Sequence, residues 1–381
     1  MATAAAPRSA ENPEARRRRP TARTRRPRPE RLVAGQRVGA WRVEGELGRG
    51  GMASVYAVSH TGFGKRAALK VAHRSALADD TVEGGRLAPE TFLREARIVH
   101  LIDHPGVCDV FATGTFDGRP YLAMERLHGE TLGALAKRGP LPRHEALGIL
   151  IELCAILGAA HAKGVVHRDL KLENVFVTPL AGARRVRLLD WGIARVLAEP
   201  DPLKGMVAGT LTYVSPEQVT TGDVTAAADI YALGVVAYQL LLGAPPFTST
   251  TDLELIWKHV NAAPPAPAQL RPDVPEELAD VLVAMLAKDA AERPALDEVA
   301  AALEAARAAA IAAPPPVVEP TAAPAPAPIS VARAAAVVAL RPLRPPFDAL
   351  GRPAPLVDPR KLAWLALAGA AALSVIAFVT G

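Results

Sequence analysis

The feature that most restricts this chain is a pair of neighbouring turns dense in charged and amide side chains, each entered from apolar sequence. His167-Arg168-Asp169-Leu170-Lys171-Leu172-Glu173-Asn174 follows a helical stretch ending at Lys163-Gly164. Asp190-Trp191-Gly192 lies sixteen residues after Asn174 and follows the strand-like Val186-Arg187-Leu188-Leu189. A carboxylate, a lysine, an amide and a second carboxylate are therefore carried on apolar elements that must bury their other side chains. Charges so placed are costly unless they pair or bind something. A fold for this chain has to bring the two turns to one site.

Two upstream segments supply matching parts. Gly48-Arg49-Gly50-Gly51-Met52-Ala53-Ser54-Val55 follows a strand-like segment, and its glycines let the backbone approach a phosphate and offer N–H groups to it. No Gly-Lys-Ser/Thr follows, so it is not a Walker loop. Fifteen residues after Val55 comes Ala67-Ala68-Leu69-Lys70-Val71, a lysine in an apolar strand that needs an anionic partner. Glu95 is the candidate, because apolar positions 92, 96 and 99 share a helix face with it. Phosphoryl transfer needs held metal, neutralised phosphate charge and an oriented nucleophile, and these residue types can provide all three.

With these motifs in order, and with Gly209-Thr210, Ser215-Pro216-Glu217, Asp229 and Arg293 following, residues 38–303 resemble the eukaryotic-like (Hanks-type) serine/threonine protein kinases of bacteria. The resemblance implies an α+β, protein-kinase-like bilobal fold, with a β-rich N-terminal lobe and a helical C-terminal lobe. It implies ATP and Mg²⁺ as cofactors and proteins as substrates, the chain itself included. Lys70, paired with Glu95, would bind the α/β-phosphates. Asp169 would accept the substrate hydroxyl proton and Lys171 would steady the γ-phosphate, while Asn174 and Asp190 would hold Mg²⁺. Leu47, Gly48, Gly50 and Gly51 would cover the nucleotide. Val55, Ala68 and Phe176 would sandwich adenine, with Met124 as gatekeeper and the Glu125 and Leu127 backbones facing the base. Glu217–Arg293 and Asp229 would be structural, and His167 a packing residue rather than a base.

Three departures from the family pattern stand out. Leu172 replaces a proline. Trp191 replaces a phenylalanine, and its larger ring would fill space left by Val99 and Val110. Between Trp191 and Gly209 there is no Ser, Thr or Tyr, so Arg168 has no phosphate to meet; Glu199 or Asp201 would stand in as a fixed anion. Thr210 and Thr212 remain as acceptors, and of these Thr210 would contact Asp169 as a structural residue. Asp79–Glu90 reads as a long loop before the helix of Glu95.

The rest of the chain is organised around residues 36–305. Residues 1–35 hold ten arginines against Glu11, Glu14 and Glu30, a charge of +7 in a chain of net +5, so the remainder is −2. The basic character sits in a tail expected to be disordered, and a specific nucleic-acid partner is not expected. Two cysteines without a Cys-x-x-Cys exclude a disulfide framework or zinc site. Residues 306–360, rich in Ala and Pro, read as an extended linker. Residues 362–380 carry no charge and would span about 28 Å as a helix, enough to cross a bilayer. Arg360 and Lys361 place the preceding chain in the cytoplasm. The expected location is thus a single-pass cell-membrane protein, with a kinase domain facing the cytoplasm and a lone residue beyond the span. Small residues at Ala368, Ala370, Ala372 and Ser374 allow a transient homodimer. A pseudokinase-like membrane scaffold is the alternative; it would show loss of Lys70, Asp169 or Asp190, and none is lost. A small-molecule phosphotransferase does not account for Ser215-Pro216-Glu217, Asp229 and Arg293.

Overall fold

The structure is a computed structural model that describes residues 30–74, 77, 89–180, 183–201 and 209–312. The chain divides into two units, Met1–Arg31 and Leu32–Gly381, and all the elements lie in the second. The expected linker beyond Ala312 and the expected membrane helix fall outside the described residues, as does the tail up to residue 29.

Strands β1 (Arg37–Val38), β2 (Trp41–Arg49), β3 (Ala53–His60) and β4 (Arg66–Ala72) lead into helix α1 (Pro89–Ile102), then β5 (Val110–Phe116) and β6 (Arg119–Met124). They form one antiparallel sheet in the order β1-β2-β3-β4-β6-β5. Alternation along β4 explains its two faces. Ala67, Leu69 and Val71 join Trp41, Val43, Tyr56, Val58 and Tyr121 in a buried cluster on one side. Ala68 and Lys70 point to the other. The register sets Lys70 opposite Val55 on β3 and Leu122 on β6, and Ala68 opposite Met124. Glu44 and Leu47 fall at register shifts of β2, just before the glycine turn. Helix α1 already begins at Pro89, so the loop read over Asp79–Glu90 is shorter at its C-terminal end than expected; residues 79–88 lie outside the described residues.

The second lobe is helical. Short β7 (Glu130–Thr131) enters α2 (Leu132–Lys137), capped by the Thr131 side chain, which accepts from the Ala134 amide at 3.1 Å. Next come α3 (Arg143–Ala162), β8 (Val165–Val166), β9 (Val175–Leu180), β10 (Ala183–Leu188) and β11 (Arg195–Val196). The remaining helices are α4 (Pro216–Val219), α5 (Ala227–Leu242), α6 (Asp252–Asn261), α7 (Pro267–Leu270), α8 (Glu276–Met285) and α9 (Leu296–Ala312). Among the described residues, α3 alone has the length and apolarity to cross a membrane. Its Leu147, Leu150, Leu153, Leu157 and Ala160 are instead fully buried in the lobe's core with residues of α5, α8 and α9. A helix apolar all round is what a central core position requires. Helix α5 is similar and stops at Gly243, whose φ of +90° is the left-handed cap that glycine adopts without penalty. Helix α9 continues past residue 305 to Ala312, because its alanine-rich last turns favour helix over extended chain.

Candidate active site

Three pieces of backbone converge on the site. Strand β8 delivers His167-Arg168-Asp169. A short 3₁₀ turn, Leu172–Asn174, turns the chain into β9. Pairing of β9 with β10 then sets Asp190-Trp191-Gly192 beside that turn, with the Leu189 amide donating to the Asn174 carbonyl at 2.8 Å. Leu172 is 2% exposed and belongs to the core, so the residue replacing proline acts through packing. Arg168 and Asp190 sit at φ +69° and +63°, a left-handed conformation that costs non-glycine residues energy and persists where surroundings impose it. Buried Asp229 imposes it at Arg168. Its carboxylate accepts from the His167 amide (2.8 Å), the Arg168 amide (2.9 Å) and His161 Nε2 (2.8 Å). Burial alone would raise the Asp229 pKa, but the His161 bond and nearby His167 hold it below its ordinary value.

Lys70 is brought to two carboxylates at once. Its Nζ donates to Glu95 Oε2 at 2.6 Å and to Asp190 Oδ1 at 2.9 Å. Burial by itself would lower the lysine's pKa, yet Asp190 and Glu95 more than reverse this and hold it above its ordinary value. Glu95, only 5% exposed, is raised by burial, with Lys70 opposing. Lys70 pulls Asp190 down to about 2 against burial, so its carboxylate is an anion at any physiological pH. The helix face read from the sequence does turn Glu95 inward.

Asp169 sits in a second network. Its Oδ2 accepts from Lys171 Nζ (2.7 Å) and Asn174 Nδ2 (3.0 Å), and its Oδ1 from the Thr210 amide (3.1 Å). Lys171 Nζ also donates to Thr210 Oγ1 at 2.9 Å. Thr210 thus touches Asp169, as expected, and is tied into the site by both amide and hydroxyl. Gly209 is required here: its φ is +105°, and a Cβ would lie 3.1 Å from the Arg168 carbonyl. Asn174 Nδ2 also donates to the Asp169 carbonyl (2.8 Å), which leaves the amide oxygen as its acceptor.

His167 is fully buried. Its Nδ1 accepts from the Asp169 amide (3.2 Å), so Nε2–H donates to the Leu189 carbonyl (3.1 Å), and the ring lies edge-on to Trp191 at 4.6 Å. Both nitrogens are occupied, Nδ1 within its own turn and Nε2 in joining it to the Asp190 turn. Trp191, 1% exposed, shares a buried cluster with Val99 and Val110, and its indole N–H donates to the Leu188 carbonyl at 3.3 Å.

Around the nucleotide-facing side, Ala68 and Phe176 are buried, while Leu47, Val55, Met124, Glu125 and Leu127 are half-buried and Gly51 is exposed. The Gly50 amide closes the glycine turn by donating to the Ala53 carbonyl at 2.7 Å. Gly48 lies in β2 opposite Val55. The Glu125 amide is committed to the Asp109 carbonyl (2.8 Å), and its carbonyl accepts a weak Cys108 thiol contact at 3.6 Å. Cys108, pushed up to about 12 by burial and by Glu125, is an inert thiol. One residue without a role in the sequence motifs belongs to this region. His73 Nδ1–H donates to the Gly51 carbonyl (3.2 Å), while the Ser54 hydroxyl donates to its Nε2 (2.8 Å), which pins the glycine turn from below. Only its position just after β4 could have signalled this. Farther out, Arg293 grips both oxygens of Glu217 at 2.7 and 2.8 Å. Among the described residues no cluster of three or more metal-binding side chains occurs.

Comparison with known proteins agrees with this geometry. The protein kinase domain family matches residues 41–303. Serine/threonine-protein kinase Pkn1 of Myxococcus xanthus is 38% identical over 267 residues, covering 68% of this chain and 37% of Pkn1. Serine/threonine-protein kinase PknA of Mycobacterium tuberculosis is 35% identical over 262 residues, covering 67% of this chain and 58% of PknA. The chain thus spans less than two thirds of either relative. The crystal structure of a singly substituted PknI kinase domain of Mycobacterium tuberculosis matches 72% of this chain and 99% of that domain, with a TM-score of 0.55 and 31% identity. The chain therefore belongs to the protein kinase family, among the Hanks-type serine/threonine kinases of bacteria.

Proposed function

We propose that this chain transfers the γ-phosphate of ATP to serine and threonine hydroxyls of proteins, itself included, while held at the cytoplasmic face of a membrane by residues 361–381. The observation that carries the catalytic part is the pair of hydrogen bonds from Lys70 to Glu95 and Asp190, since they join β4, α1 and the Asp190 turn in one connected site. Lys70 faces the α/β-phosphates and Glu95 keeps it there. Asp169, ringed by Lys171, Asn174 and Thr210, takes the proton from the incoming hydroxyl, and Lys171 neutralises charge on the transferred group. Met124, beside Ala68 on the sheet, bounds the adenine slot with Val55 and Phe176, and Leu47, Gly48, Gly50 and Gly51 lie over it.

The donor set suits Mg²⁺. Asp190 is an anion with Oδ2 beyond the lysine, and Asn174 has its amide oxygen left as acceptor, so both offer the hard oxygen ligands that this ion prefers. Bound there, the ion would neutralise phosphate charge. Support for the membrane part comes from the uncharged run 362–380 after Arg360-Lys361.

The test is transfer of labelled γ-phosphate by the full chain to myelin basic protein and to itself, with Asp190→Asn as control. Mg-dependent transfer, reduced at least about 100-fold in the control, is expected. A folded chain that binds ATP but transfers nothing sinks the enzymatic reading in favour of a scaffold. Extraction of membranes with alkaline carbonate tests the anchor: the full chain should stay in the pellet, and its release would remove the anchor from the proposal.

A further inference from the structure

Two carboxylates outside the catalytic set lie on the stretch that follows Asp190-Trp191-Gly192. Both oxygens of Asp201 face the Arg168 guanidinium, one at 2.9 Å from Nη1 and the other against Nη2, with the side chains only 3% and 4% exposed. Arg195 Nε approaches the same carboxylate at 4.0 Å. Glu199 Oε2 accepts from Arg94 of α1 at 2.9 Å, and its Oε1 lies 3.7 Å from Arg97. Each acid thus holds the arginine that immediately precedes a charged residue of the site: Arg168 precedes Asp169, and Arg94 precedes Glu95. The backbone of the same stretch is fixed by β11 against β8 and by the Leu197 amide on the Gly164 carbonyl at 2.8 Å.

We infer that Asp201 and Glu199 are positioning residues that do permanently what a phosphate on this segment would do on demand, so that this kinase works without phosphorylation of the segment. The inference rests on the proposed kinase activity. Segments of this kind are commonly ordered when an added phosphate pairs with arginine. Here residues 192–208 contain no Ser, Thr or Tyr to carry one. Beyond them, Thr210 is occupied with Asp169 and Lys171. A buried guanidinium needs an anion, and a two-point carboxylate supplies charge and geometry together. Through Glu199 the segment also bears on α1, and hence on the approach of Glu95 to Lys70. Glu199 joins Asp201 in this work rather than being its alternative, as the sequence alone left it.

The decisive experiment uses the full chain made with and without a co-expressed broad-specificity phosphatase, its phosphate content read from intact mass. Inactivity of both preparations would strike the proposed kinase activity, not this inference. With the untreated chain active, the phosphate-free chain should transfer to myelin basic protein within about twofold of its rate. A drop of more than about tenfold, recovered after preincubation with ATP, overturns the inference. Asp201→Asn should lower kcat about 10- to 100-fold with little change in KM for ATP, and Asp201→Glu should recover most of it. Should Asp201→Asn fail to fold, Glu199→Gln decides. Glu199 is 40% exposed, so its loss should leave the melting temperature unchanged while kcat falls severalfold; an unchanged kcat overturns its part.

Discussion

Lys70, Asp169 and Asp190 were legible in the sequence because their chemistry has no cheap structural explanation: charges in apolar strands and tight turns demand partners. Trp191 was read from the sequence as volume alone, and the structure adds a hydrogen bond. Its N–H meets a carbonyl three residues earlier, a pairing that depends on the backbone path through Asp190 at positive φ. Trp191→Phe should therefore remove both packing and a donor, leaving the Leu188 carbonyl unsatisfied. The expected destabilisation is about 1–3 kcal/mol, seen as a fall of several degrees in melting temperature; a rise would refute the packing role. Asp190 also has a pH consequence. Its pKa is lower folded than unfolded, so pairing with Lys70 stabilises the fold above its ordinary carboxylate range and fades only as pH falls toward about 2. Activity lost between pH 7 and 5 must then come from another group.

At the scale of elements, the strand before the glycine turn, the apolar strand of Lys70, the inward face of α1 and the helical stretch that became α3 were visible. What sequence could not show is how a loop is held from outside itself. The glycine turn is rich in freedom, yet His73 and Ser54 clamp it across the β3–β4 pair. His73→Phe keeps the ring's bulk but removes both hydrogen bonds. Its KM for ATP should rise about threefold to tenfold while kcat changes little, since a looser cover weakens nucleotide binding more than chemistry. Steady-state kinetics at varied ATP would check this, and an unchanged KM would deny the clamp a role. The Glu217–Arg293 pair is another such link. Residues 76 apart are joined with the Arg293 side chain fully buried, a distance that no local pattern encodes.

Across the whole molecule, burial of His259 in the helical lobe couples stability to pH. Its Nδ1 bonds the Tyr231 hydroxyl at 2.9 Å, Phe247 lies edge-on, and Lys288 donates to its carbonyl. Burial first, and Lys288 second, push its pKa down to about 4. The unfolded chain, with a value near 6.5, binds more protons between pH 4 and 6.5, so folding stability rises with pH across that window. The group should cost about 3 kcal/mol on acidification from pH 7 to 4. Denaturation curves for the native chain and His259→Gln should show a weaker acid dependence in the variant; parallel curves would exclude His259. The sequence by itself determined the order of the motifs and the residue types at the site, because the cost of buried charge is a local property, and those motifs carried the resemblance that implies two lobes. It also narrowed the anion facing Arg168 to Glu199 or Asp201. Only the tertiary structure assigned Asp201 to Arg168 and Glu199 to α1, seated His73 under the glycine turn and made His259 a buried base. Those pairings depend on which surfaces meet after the chain has folded back on itself, and no spacing along the chain records that distance.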